Sequence, residues 1–108
     1  MPITFSNAGS LNGTTPVMLQ ARPTVGALII RELYINNCDT AGVVLSLYIT
    51  GGYNIWKGSL DIGDTLMLSQ NDIIILNTST DIFAKLDGAP ATTNPTYVIG
   101  MAYDEQTS

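Results

Sequence analysis

The sequence predicts an all-β fold, a two-sheet antiparallel sandwich of jelly-roll type with about eight strands. Three observations carry that expectation. Apolar residues nowhere keep a 3.6-residue period long enough for a helix. Clusters of Gly, Asn, Asp and Pro punctuate the chain at the spacing of short strands in a sandwich. Between two such clusters Val43, Leu45, Leu47 and Ile49 alternate with Val44, Ser46 and Tyr48, which is the period of a half-buried strand; the first set is the expected core.

Residues 1–13 are rich in Ser, Asn and Gly and hold only Ile3, Phe5 and Leu11 as large apolar anchors. Such a segment cannot form its own core, so it reads as an extended N-terminal arm lying on a neighbouring surface, with a first edge strand as the alternative. Strands are then expected at 15–21, 27–36, 43–50, 55–60, 65–69, 73–76, 81–86 and 96–103, making residues 14–108 the sandwich domain. In the second of these Ile29, Leu33 and Ile35 would share a face that Arg31 interrupts, so either the strand bends there or the face leaves the core. Residues 36–42, Gly51-Gly52-Tyr53-Asn54 and Asp61-Ile62-Gly63-Asp64 supply hairpin chemistry. The run 87–95, with its Gly, Pro and Thr, is an exposed loop.

Composition narrows the function. The 108 residues contain 45% apolar and only 12% charged side chains, against about a quarter charged in ordinary soluble domains, so surface beyond a monomer's own core is expected to be covered. Arg22, Arg31, Lys57 and Lys85 are the whole cationic inventory of a chain with net charge −5, too few for a phosphate-binding face. No apolar run approaches the roughly 20 residues of a membrane-spanning helix, and the first residues lack the pattern of a secretory signal. With no His and a single Cys, Cys38, the usual general base, the commonest metal ligand and any disulfide framework are missing, so no enzyme and no cofactor is expected. Cys38 itself reads as a small, at least half-buried residue at a strand end.

The last strand has two uncharged rows, Tyr97, Ile99, Met101 and Tyr103 on one side and Val98, Gly100 and Ala102 on the other. If the small row packs inward, the large one forms an apolar patch that a second subunit or another protein would cover; the alternative is a second face of a deeper core. Tyr34, Tyr48, Trp56 and Met67 join the candidate interface, because Tyr, Trp and Met are enriched where proteins meet. No nucleic-acid or membrane partner is expected, and the chain itself is the first expected partner.

Other chemistry is thinner. Asp61, Asp64 and Asp72 could offer oxygens to a hard cation, but they lack calcium-loop spacing, and Asp beside Gly is ordinary turn chemistry. Tyr48, Tyr53 and Trp56 with Asn54 and Lys57 could form a sugar-stacking platform, which makes a carbohydrate-binding module the alternative of a different class.

The segments Gly9-Ser10-Leu11-Asn12-Gly13-Thr14-Thr15-Pro16-Val17, Leu33-Tyr34-Ile35-Asn36-Asn37, Leu60-Asp61-Ile62-Gly63-Asp64-Thr65-Leu66 and the strand Asp81-Ile82-Phe83-Ala84-Lys85-Leu86 occur in that order. Together they resemble the small β-sandwich structural proteins of tailed bacteriophages, over most of residues 9–103. The resemblance implies a virion protein made in the host cytoplasm. Its expected role is a capsid decoration or cement protein, often trimeric, bound to the major capsid protein, with a tail, neck, baseplate or fibre component as the alternative. It implies no active-site residue.

Overall fold

The computed structural model describes residues 4–104, with side chains described except at 4–7, 69–73 and 101–104. Eight strands are formed there: β1 (Thr4–Ser10), β2 (Val17–Gln20), β3 (Ala27–Asn36), β4 (Val43–Ile49), β5 (Tyr53–Leu60), β6 (Thr65–Leu76), β7 (Ile82–Leu86) and β8 (Thr96–Asp104). They make two four-stranded sheets, β1-β8-β3-β6 and β2-β7-β4-β5, and every pairing is antiparallel. β1 pairs with β8, β2 with β7, β3 with β6 and β4 with β5, so the chain is one long folded hairpin. The β3–β8 and β4–β7 pairings join its strands into the two sheets, which is the connectivity of an eight-stranded jelly roll.

The inward rows form a single apolar cluster. Leu28, Ile30, Leu33 and Ile35 of β3, Val43, Leu45 and Leu47 of β4, and Ile82, Ala84 and Leu86 of β7 are all buried, with Leu76 and Ile99 among them. The alternation expected of β4 therefore holds from Val43 to Leu47. In β3 the expected face needs correction. The register shifts between Ile30 and Glu32 on both neighbouring strands: against β8 Arg31 is one extra residue, a bulge, whereas on β6 four residues fill the same step. A bulge reverses the in-out parity of everything beyond it. Leu28 and Ile30 point inward before it and Leu33 and Ile35 after it, while Ile29 is only half-buried.

One strand reads as two at the same step. β6 pairs with β3 over Thr65–Ser69 and again over Ile74–Leu76, and residues 70–73 lie between these stretches, opposite Arg31. The N-terminal segment is a second correction. Residues 4–10 form the edge strand β1, paired to β8 of the same chain, and Leu11 is 2% exposed in the core rather than an anchor for a neighbour. Cys38, expected to be at least half-buried, is exposed.

A buried carboxylate braces each end of the sandwich. At one end Asp39 accepts hydrogen bonds from the N–H groups of Thr40 (2.8 Å), Ala91 (2.7 Å), Thr92 (2.8 Å) and Thr93 (3.1 Å) and from the Thr92 hydroxyl (2.9 Å). Its neighbour Asn37 donates through Nδ2 to the carbonyls of Ala41, Leu60 and Asp61 and accepts the Asp39 N–H at Oδ1. The β3–β4, β5–β6 and β7–β8 loops are thereby tied together. At the other end Asp81 accepts the Arg22 N–H at 2.6 Å and pairs with its guanidinium at 2.8 Å, while the Asp81 N–H donates to the Thr50 hydroxyl.

These arrangements set an acid limit. Burial pushes the Asp39 carboxyl up, but the hydrogen bonds from Thr92, Ala91 and Thr40 outweigh it and hold the group below the usual carboxylate range. The Arg22 side chain and N–H hold Asp81 low in the same way. Both pKa values are lower folded than unfolded, so their stabilisation is complete above the unfolded value near 4 and is lost as pH falls below it. Thermal melts from pH 7 to pH 2 are expected to show a plateau and then a fall below about pH 4, with a shallower fall in Asp39→Asn. In that variant the Ala91, Thr92 and Thr93 amides are expected to exchange with solvent about tenfold faster or more.

Candidate functional site

Two outer sheet faces are the surfaces on which function can be read. On β1-β8-β3-β6, Ala8 is opposite Val98, Val98 opposite Tyr34 and Tyr34 opposite Met67, so one apolar row crosses all four strands. Val98 is 37% and Met67 61% exposed. On the far side of the bulge Ile29 is opposite Ile75, which is 62% exposed, and adds a second apolar pair to the same face. Glu32 stands between the two, and its carboxylate, together with burial, raises the Tyr34 phenol above its ordinary pKa. A polar row of Ser10, Thr96, Asn36 and Thr65 closes one end. An apolar centre with a polar edge is the usual anatomy of a protein interface.

Of the interface residues expected from sequence, Tyr34 and Met67 lie together on this face. Ile99 does not: it is 0% exposed, because its row of β8 is the one in register with Leu33 and Ile35. Tyr97 belongs to the same inward row; it packs against the core, and its ring covers Gly9 on β1. Met101 and Tyr103 occupy register positions opposite the inward residues Ile30 and Leu28, and their side chains lie outside those described. Phe5 is placed by its backbone opposite Gly100, with its side chain likewise outside, and Ile3 lies outside the described residues altogether. Among the described side chains, Tyr97 and Ile99 of the large row therefore turn inward and Val98 of the small row outward, the reverse of the expected exposure. Val98, Ala8 and Ile75 are not among the residues expected from sequence: cross-strand register places Ala8 and Val98 in the row, and the bulge turns Ile29, the partner of Ile75, outward.

The outer face of β2-β7-β4-β5 is of another kind. Ser46 of β4 is opposite both Lys85 of β7 and Lys57 of β5, giving a row of two cations with a small residue between them. Tyr48 lies two residues along β4, stacked on Phe83 with ring centroids 5.5 Å apart, and the Lys85 ammonium stands 5.6 Å from the Tyr48 ring centre. Burial raises the Tyr48 pKa. Ser46, Tyr48, Lys57 and Lys85, together with Gly52, Asn54 and Asp87, line an open groove of about 210 Å³.

Trp56, expected beside Tyr48, is on the other side of the sheet, opposite Leu47 and packed against the core. Its ring lies over Gly58, where an added Cβ would stand 3.0 Å from the indole. Gly58→Val is therefore expected to push the ring outward at a cost of about 1–3 kcal/mol. Trp56 is the only tryptophan, so a red shift of fluorescence emission under native conditions reads that displacement directly. Tyr53 is 71% exposed at the hairpin. Asp61 and Asp64 serve their turn, the Asp64 N–H donating to the Asp61 carbonyl at 3.0 Å, and the Asp72 side chain lies outside those described. Among the described residues no group of three or more Cys, Asp or Glu side chains is placed to hold a metal ion.

The class these observations define is an eight-stranded jelly-roll sandwich with an apolar row across one outer face and a partly cationic groove on the other, where Met18, Val44 and Ile55 are exposed as well. No family model, curated protein or solved structure matches the chain.

Proposed function

We propose that the chain is a non-enzymatic structural protein of a virion, a capsid decoration or cement protein that acts as a homo-oligomer on the assembled shell. The observation that carries this reading is the row Ala8, Val98, Tyr34 and Met67, continued by Ile29 and Ile75, open to solvent in a chain with only 12% charged residues. Four strands about 4.8 Å apart and about 33 Å long offer roughly 600 Å², close to the ~800 Å² per partner of a stable interface. Jelly rolls serve viral capsids and lectins alike, so the fold is compatible with this role without selecting it.

The mechanism is one of binding alone. A protein that attaches only to the assembled lattice stabilises it at every occupied position by its free energy of association, against the pressure of a packaged genome. Both sandwich ends are braced, by Asp39 and by Asp81, so a load passing between neighbours would meet tied loops at either end. The test is stoichiometry in particles made from the genome that encodes this chain. One copy per lattice position, removed together with a measurable loss of shell stability, is the expected result. A handful of copies at a single vertex would place the protein in the tail or neck, and absence from the particle would end the reading.

A further inference from the structure

We propose that the groove on the outer face of β2-β7-β4-β5 binds an acidic saccharide, with its carboxylate taken by Lys57 and Lys85 and its ring seated beside Tyr48 and Asn54. The first ground is the distribution of charge. Two of the four cations of a chain with net charge −5 stand in one cross-strand row, separated only by Ser46. The two lysines stand on the strands either side of β4, about 10 Å apart at the backbone, so one anionic group lying over Ser46 is within reach of both flexible side chains.

The second ground is how little the protein itself neutralises them. Lys57 meets Asp87 at 3.6 Å with both side chains about half exposed, a pair of small value in water. Lys85 makes no ion pair among the described residues, and its ammonium rests over the Tyr48 ring. Both are therefore free to turn toward a carboxylate.

The third ground is what surrounds the cations. The Ser46 hydroxyl, the Asn54 amide and an aromatic ring backed by Phe83 are the groups that meet sugar hydroxyls and the apolar face of a pyranose. A simple phosphate would use only the lysines. The groove, at about 210 Å³, is smaller than the ~300–1,000 Å³ of pockets that enclose whole drug-sized ligands, so it suits one or two sugar units of a longer chain lying across the sheet. This site is on the opposite sheet from the apolar row, and its success or failure is independent of the virion reading.

The experiment titrates the full chain, labelled with ¹⁵N, with trigalacturonic acid, using maltotriose as a neutral saccharide and inorganic phosphate as an anion without rings. The expected result is saturable shifts confined to β4, β5 and β7 with trigalacturonic acid, weakened by salt, and at least tenfold weaker binding in the Lys57→Gln/Lys85→Gln variant. That variant exchanges partly exposed side chains, and an unchanged melting temperature confirms that its fold is intact. The proposal is overturned if trigalacturonic acid causes no localised shifts, if maltotriose or phosphate reproduces them at equal concentration, or if the double variant binds as the parent does.

Discussion

Val98→Asp is expected to turn the proposed oligomer into monomers. Val98 sits mid-sheet on β8, between Ala8 and Tyr34 in the apolar row, and is 37% exposed before any partner arrives. A carboxylate there remains hydrated in the isolated subunit, so the sandwich still folds. In the assembled state it would be buried without a cation, and burying an unpaired charge costs several kcal/mol. Association should weaken by at least about a hundredfold, equivalent to about 3 kcal/mol. Sedimentation velocity reads the change, and Ser59→Asp on the opposite sheet is the control that should leave the mass unaltered.

Ile30→Ala is expected to have the largest effect on folding, and Ile29→Ala, one residue away, a small one. Ile30 is 1% exposed on β3 and held between β6 and β8 by pairing on both sides, so its surroundings cannot collapse into the space it leaves. Losses of this kind cost about 2–5 kcal/mol, a large fraction of the ~5–15 kcal/mol that holds a domain together. Ile29 projects to the outer face and gives up far less when trimmed. Urea titrations in the Val98→Asp background, where the outer face is free of a partner, separate the two. Equal losses would mean that the bulge at Arg31 does not set the facing of β3.

That bulge also marks the boundary of what could be read from sequence. The strands on either side of clear turns were legible: β4, β5 and β7 lie within a few residues of their expected places, because Gly51-Gly52 and the turn Asp61-Ile62-Gly63-Asp64 leave the chain few alternatives. Facing was legible only where alternation ran unbroken, as from Val43 to Leu47. Arg31-Glu32 carries no turn chemistry, yet the extra residue there reverses the parity of β3 and moves Ile29 from the expected core to the surface. In β8 both rows lack charge, so alternation was silent there, and the register that pairs Ile99 with the buried Leu33 is what puts it in the core.

The candidate surfaces were legible in part for the same reason. Tyr34 and Met67 were expected at an interface from residue type, and the structure puts them in one row. Their partners Val98 and Ala8 are too small to attract attention in a sequence and matter only through cross-strand register. Tyr48, Asn54 and Lys57 were expected together and do line one groove, whereas Lys85 arrives from β7 and Trp56 faces the core. Asp39 looked like one more turn residue. Its importance comes from the amides of residues 91–93, which lie more than fifty positions away in the chain.

The most direct test of a covered apolar face is the mass of the unmodified chain in solution. At micromolar concentration and neutral pH, sedimentation equilibrium should return a single species at a whole-number multiple of 11.5 kDa, and Val98→Asp should return 11.5 kDa itself. An unmodified chain that stays at 11.5 kDa up to millimolar concentration would contradict the account.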